Sequence, residues 1–109
     1  MTRLASKFWI QAYLARLQLA NIQGFVVVHG DDSSGAVLVK INYLNGYAGI
    51  YQRSYDLMNE KRCWISLFDG DENKANEVIA RQRSSDPDIW VVEVEDKLRR
   101  HLLNEEGLE

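Results

Sequence analysis

The chain of 109 residues contains one cysteine and one proline. A lone Cys63 excludes an internal disulfide framework and suits a reducing compartment, so a cytoplasmic location is expected. No apolar run approaches the ~18 residues that a membrane-spanning helix needs, so no membrane partner is expected. The opening residues 1–7 lack the apolar stretch of a secretion signal. Basic residues are not in excess: 13 Lys and Arg stand against 16 Asp and Glu, a formal net charge of −3. That balance lacks the electrostatic footprint of a nucleic-acid binder. With Pro87 alone, and with no Gly/Ser linker, low-complexity stretch or internal repeat, residues 1–109 read as a single domain.

What is present is an ordinary globular composition, 46% hydrophobic and 27% charged, in a chain long enough for one core. Charge is unevenly placed. Residues 1–68 carry +3 and residues 69–109 carry −6. The split reads as two differently solvated faces, as a device for head-to-tail self-association, or as an acidic face kept for a basic partner.

Residues 7–20 lack Gly and Pro and place Trp9, Tyr13, Leu17 and Ala20 at helical spacing. Ser6 is a candidate N-cap, and Asn21 and Gly24 are stop signals. Strands follow at Phe25–His29 and Ala36–Leu44, separated by a turn-rich loop from Gly30 to Gly35. Asn45-Gly46 predicts a two-residue type I′ hairpin into Tyr47–Gln52. Tyr55–Arg62 reads as loop and Cys63–Phe68 as a fourth strand. A second helix is expected over about 73–84, capped by Asp71 or Asn73. Asp86-Pro87-Asp88 makes a turn before a last strand, Ile89–Glu95. Residues 96–103 suit either a short helix or a continued strand. The expected fold is α+β: a two-layer domain with a mainly antiparallel sheet of about five strands and two helices, in the order α-β-β-β-β-α-β.

Chemistry-bearing patterns are incomplete. Asp69-Gly70-Asp71-Glu72-Asn73 opens like a calcium loop, but Lys74 stands where the turn glycine is needed and Ala80 where a closing Glu is needed. Cys63, His29 and His101 are too few and too scattered for zinc. No nucleophile elbow or glycine-rich phosphate motif occurs. Asp88 and Glu95 lie at opposite ends of one strand, about 23 Å apart at ~3.3 Å per residue, and cannot share a metal. No catalytic, metal-binding or cofactor-binding residue is therefore assigned.

Strand alternation supplies the remaining candidates. A two-residue turn puts Leu44 opposite Tyr47. Val37, Val39, Ile41, Tyr43, Ala48 and Ile50 then share a core face, and Lys40, Tyr47 and Tyr51 share an outer one. That outer face suits a protein interface, by which the chain forms a homodimer or meets another protein. Aromatics beside a lysine also admit an RNA reading, which the net charge opposes. Glu93 and Glu95 share the outward face of the last strand, where Arg81 and Arg83 can pair with them. An enzyme or ligand-binding reading rests on Glu93, Glu95, Arg81 and Lys40.

Five segments also resemble one family: Ala12-Tyr13-Leu14, His29-Gly30-Asp31 with Gly35–Asn42, Trp64–Leu67, Ala80-Arg81-Gln82, and above all Asp86–Asp96. The chain is similar to the short alphaproteobacterial proteins grouped as domain of unknown function 1491. The resemblance implies a bacterial cytoplasmic single-domain protein and brings no catalytic residues. The residues favour a non-enzymatic interaction or self-associating module, with Lys40, Tyr47, Tyr51, Arg81, Glu93 and Glu95 as its candidate contacts.

Overall fold

A computed structural model describes residues 5–56, 58 and 61–108, with the backbone alone at 55, 56 and 61. The elements are α1 (Ser6–Leu19), β1 (Gln23–Val28), β2 (Val37–Asn42), β3 (Tyr47–Asp56), β4 (Lys61–Asp71), α2 (Glu72–Ser85) and β5 (Trp90–Glu95). One five-stranded sheet holds them in the order β1-β5-β2-β3-β4. All neighbours are antiparallel except β2 and β5, which run parallel. The α+β class, the two helices and the order α-β-β-β-β-α-β are as the residues indicate. Among the described residues no helix is long and apolar enough to cross a membrane.

The helices lie on opposite faces of the sheet. Trp9, Ile10, Tyr13 and Leu17 of α1 bury against Val37, Val39, Ile41, Trp90, Val92 and Val94. Ala75, Val78 and Ile79 of α2 bury against Leu38, Ala48, Ile50 and Val91. To the expected two layers the structure thus adds a third. Val91 is 1% exposed, so the face of β5 expected to be solvated is covered. Strand alternation explains the division, since successive side chains take opposite faces and β2 is buried on both.

The β2–β3 register differs from expectation by one residue. Val39 opposes Tyr51, Ile41 opposes Gly49 and Asn42 opposes Ala48. The connection has three residues, closed by Tyr43 N–H on Tyr47 O at 3.1 Å. Leu44 (φ 63°) and Gly46 (φ 92°) both take the left-handed region. The Asn42 side chain accepts the Leu44 N–H at 2.9 Å and turns the chain one residue early. A one-residue slip moves a whole strand's side chains to the other face. Tyr47 and Tyr51 therefore join the α1 face, and Ala48 and Ile50 join the α2 face.

Two ends also differ. Ala5, not Ser6, is the N-cap of α1. The Ser6 hydroxyl donates to Gly35 O, and the loop carbonyls of Ser33 and Asp32 accept the Ser6 and Lys7 N–H groups. The segment read as a loop over 55–62 is instead largely strand, though residues 57, 59 and 60 lie outside the described residues. Asp71 caps α2, its carboxylate accepting the N–H groups of Asn73 and Lys74.

Candidate functional site

Lys40 sits in the central strand β2 and is 4% exposed. A lysine reaches such a position only with partners, because an unpaired buried charge is costly. Its Nζ donates to Glu72 Oε2 at 2.8 Å and to Asn76 Oδ1 at 2.9 Å, and lies 3.4 Å from Glu93 Oε1. Asn42 Nδ2 bridges the two acids, at 3.0 Å from Glu72 and 3.3 Å from Glu93. Three acceptors thus surround the Lys40 Nζ. The arrangement latches α2 to the sheet.

The structure thus joins Lys40 to Glu93 and separates both from the tyrosines. Glu95 is half-buried on the same face as Glu93, and Arg81 is exposed on α2. Among the described residues neither Arg81 nor Arg83 makes an ion pair with Glu93 or Glu95. Glu72 and Asn76 are partners of Lys40 that the sequence reading missed. Their i, i+4 spacing on one helix face was the available signal.

On the other face, Tyr47 is 53% exposed at the hairpin end. Tyr51 is half-buried, its ring 4.8 Å from that of His101. The cover is the C-terminal segment 96–108, a strap that is neither helix nor strand. Leu103 and Leu108 are 0% and 2% exposed. The Trp9 and Trp64 indoles both donate to Leu108 O, at 3.2 and 2.9 Å. Tyr13 donates to His101 O at 2.7 Å. Arg53 lies over the rings of Trp9 and Trp64, and Arg99 over Tyr43.

Ionisation follows this packing. Burial pushes the Tyr13 phenol up. Burial, together with its hydrogen bond to Asp69, does the same to Tyr43. Burial pushes the His101 imidazole down, and its Nδ1 accepts the Leu103 N–H at 3.0 Å, which requires that nitrogen to be unprotonated. The Arg100 guanidinium holds the Asp96 carboxyl below the usual range. Hydrogen bonds from Ser34 do the same for Asp31. Each of these groups fastens a turn or the strap. Among the described residues no three His, Cys, Asp or Glu side chains are placed to hold a metal. Cys63 is half-buried on β4.

A run of exposed apolar side chains lies elsewhere. β1 is an outer strand, paired on one side to β5. Phe25, Val26 and Val27 are 40%, 38% and 52% exposed. No residue of Gln23–Val28 is charged. A shallow groove of about 690 Å³ runs beside it, lined by Gln11, Leu14, Ala15, Gln18, Asn21 and Gln23 among others, none charged. A second cleft of about 470 Å³, at the far end of β1, is lined by Val28, His29, Arg83, Ser84 and Asp86. Neither is lined by Lys40, Glu93 or Glu95.

The elements and the strand order define a small α+β domain. The profile of a protein family of unknown function, DUF1491, matches residues 4–104, and the chain belongs to that family. A crystal structure of a DUF1491 family protein from Caulobacter crescentus CB15 is 32% identical, with a TM-score of 0.82, covering 95% of this chain and 96% of that one. An NMR structure of a DUF1491 family protein from the same organism is 31% identical, with the same TM-score and coverage. The solution structure of protein Atu0922 from A. tumefaciens is 24% identical, with a TM-score of 0.74 over 86% of each chain, and shares the fold. None of the curated proteins matches.

Proposed function

We propose that this protein is a non-enzymatic interaction module of the bacterial cytoplasm that associates with a second copy by pairing their β1 edges. The supporting observation is the outer strand Gln23–Val28, which carries three neighbouring exposed apolar residues and no charge. An open strand edge offers unpaired N–H and C=O groups, and proteins normally guard such an edge with charge, proline or cover. Among the described residues β1 has none of the three over its length, apart from a register shift between Val26 and Val28. A second copy is favoured over an unlike partner because the bordering groove is also uncharged. Two such surfaces meet about a two-fold axis with no like-charge repulsion and no need of an opposite charge. In this reading Lys40 and Glu93 hold α2, Tyr51 holds the strap, and Tyr47, Arg81 and Glu95 lie outside the contact.

Size-exclusion chromatography with light scattering tests the proposal. The wild type should reach the mass of two 12.6 kDa chains as concentration rises. Val27→Lys should remain at 12.6 kDa, and Ile65→Lys on the opposite edge should still dimerise. A wild type that is monomeric at all concentrations, or a Val27→Lys dimer, overturns it.

A further inference from the structure

We propose that the groove between α1 and the β3–β4 hairpin is a peptide-docking site, and that it accepts residues 96–108 of a second copy in place of the chain's own. The surface is separate from β1, and the inference does not rest on edge pairing. The strap is held as a bound peptide is held. Its last main-chain bond to the body is Asp96 N–H on Asn42 O. Beyond it, the described main-chain bonds stay within the strap: Arg99 to Asp96, Glu105 to Leu102, and Leu108 to Glu105. The body supplies side-chain donors to the strap's carbonyls instead. Tyr13 takes His101 O, Trp9 and Trp64 share Leu108 O, and Arg16 takes Glu106 O at 2.9 Å. Leu103 and Leu108 fill sockets in the core. Donors for the backbone together with sockets for spaced apolar anchors are the means by which folded domains read peptides.

The link to the body is under opposing demands. Arg99 (φ 61°) and Leu102 (φ 59°) take left-handed conformations that side chains disfavour. Asp96 holds the turn closed by accepting the Arg100 N–H and both Arg100 Nε and Nη2. The tethered strap has the advantage of high effective concentration, so exchange is seen once its own grip is weakened.

The probe is a labelled synthetic peptide of residues 96–109, titrated into full-length chains that all carry Val27→Lys to remove β1 association. The Leu108→Ala chain should bind the peptide at least about tenfold tighter than the chain with Leu108 intact, because one socket of its own strap is lost. A peptide with Leu103→Ser and Leu108→Ser should not bind. Should Leu108→Ala fail to fold by circular dichroism, Asp96→Asn, which loosens the turn, should bind the peptide more tightly than the parent. Equal binding by the parent and a folded loosened variant, or equal binding of the serine peptide, overturns the inference.

Discussion

On the α1 face of the sheet, Trp9, Tyr13 and Leu17 meet aliphatic strand residues, and the strap completes the cover with Leu103 and Leu108. On the α2 face, aliphatic packing through Ala75, Val78 and Ile79 is supplemented by an ionic latch at Lys40. The first cover depends mainly on shape and on the neutral Trp and Tyr donors, with ion pairs such as Arg16–Glu105 at its exposed rim, and the second partly on a more buried ionic latch. The two should therefore fail under different conditions: the first through truncation or protonation of a buried group, the second through loss of a charged partner. The contrast also bears on the proposed β1 contact. With both faces covered by the chain itself, the consecutive exposed apolar residues Phe25, Val26 and Val27 lie on the outer strand β1.

The largest effect should come from the α1 face. Leu103→Ala removes a fully buried side chain and should lower stability by about 2–5 kcal/mol in urea unfolding. A loss below about 1 kcal/mol would mean that the strap is not part of the core. On the α2 face, Lys40→Met should cost about 1–3 kcal/mol, because it strands two carboxylates. That is less than for a fully buried pair, since Glu72 retains 32% side-chain exposure. Adding Glu72→Gln and Glu93→Gln should recover part of the loss, and no recovery would refute the latch.

Gly49→Ala should cost about 1–2 kcal/mol. A Cβ there would run into the Tyr43 hydroxyl that donates to Asp69. The same change in a Tyr43→Phe background should be nearly neutral. The smallest effect is a pH slope. Because burial lowers the His101 pKa in the folded chain, the folded state binds the proton less readily than the unfolded one. Stability is then full above the ordinary value of 6.5 and declines as the pH falls through it. His101→Asn should flatten that slope in thermal melts. The Asp31 and Asp96 carboxyls, also lowered but by hydrogen bonds to the charged form, contribute stability that is lost only at lower pH, below the ordinary 3.8.

Local patterns made much of this fold legible. Trp9, Tyr13 and Leu17 identify the buried stripe of α1, and Trp90, Val92 and Val94 identify the core side of β5. Asn45-Gly46 signalled a hairpin but not its length, because the competing bond comes from the Asn42 side chain. Lys40 resembled a solvent-facing residue because Glu72 and Asn76 lie 32 and 36 residues away. The strap matches no regular period, since side chains rather than main-chain ladders hold it. The open edge was hidden for a topological reason. β5 inserts between β1 and β2 through a parallel pairing, and nothing local in Gln23–Val28 indicates which strand lies beside it. The absence of charge from that strand was visible throughout, and its meaning depends on the strand order.

Amide hydrogen exchange of the wild type at low and high concentration, followed residue by residue, tests the edge most directly. The account predicts that amides within Gln23–Val28 gain protection as concentration rises, while those of β4 do not. Unchanged β1 amides in a sample that has dimerised, or new protection confined to β4, would contradict it.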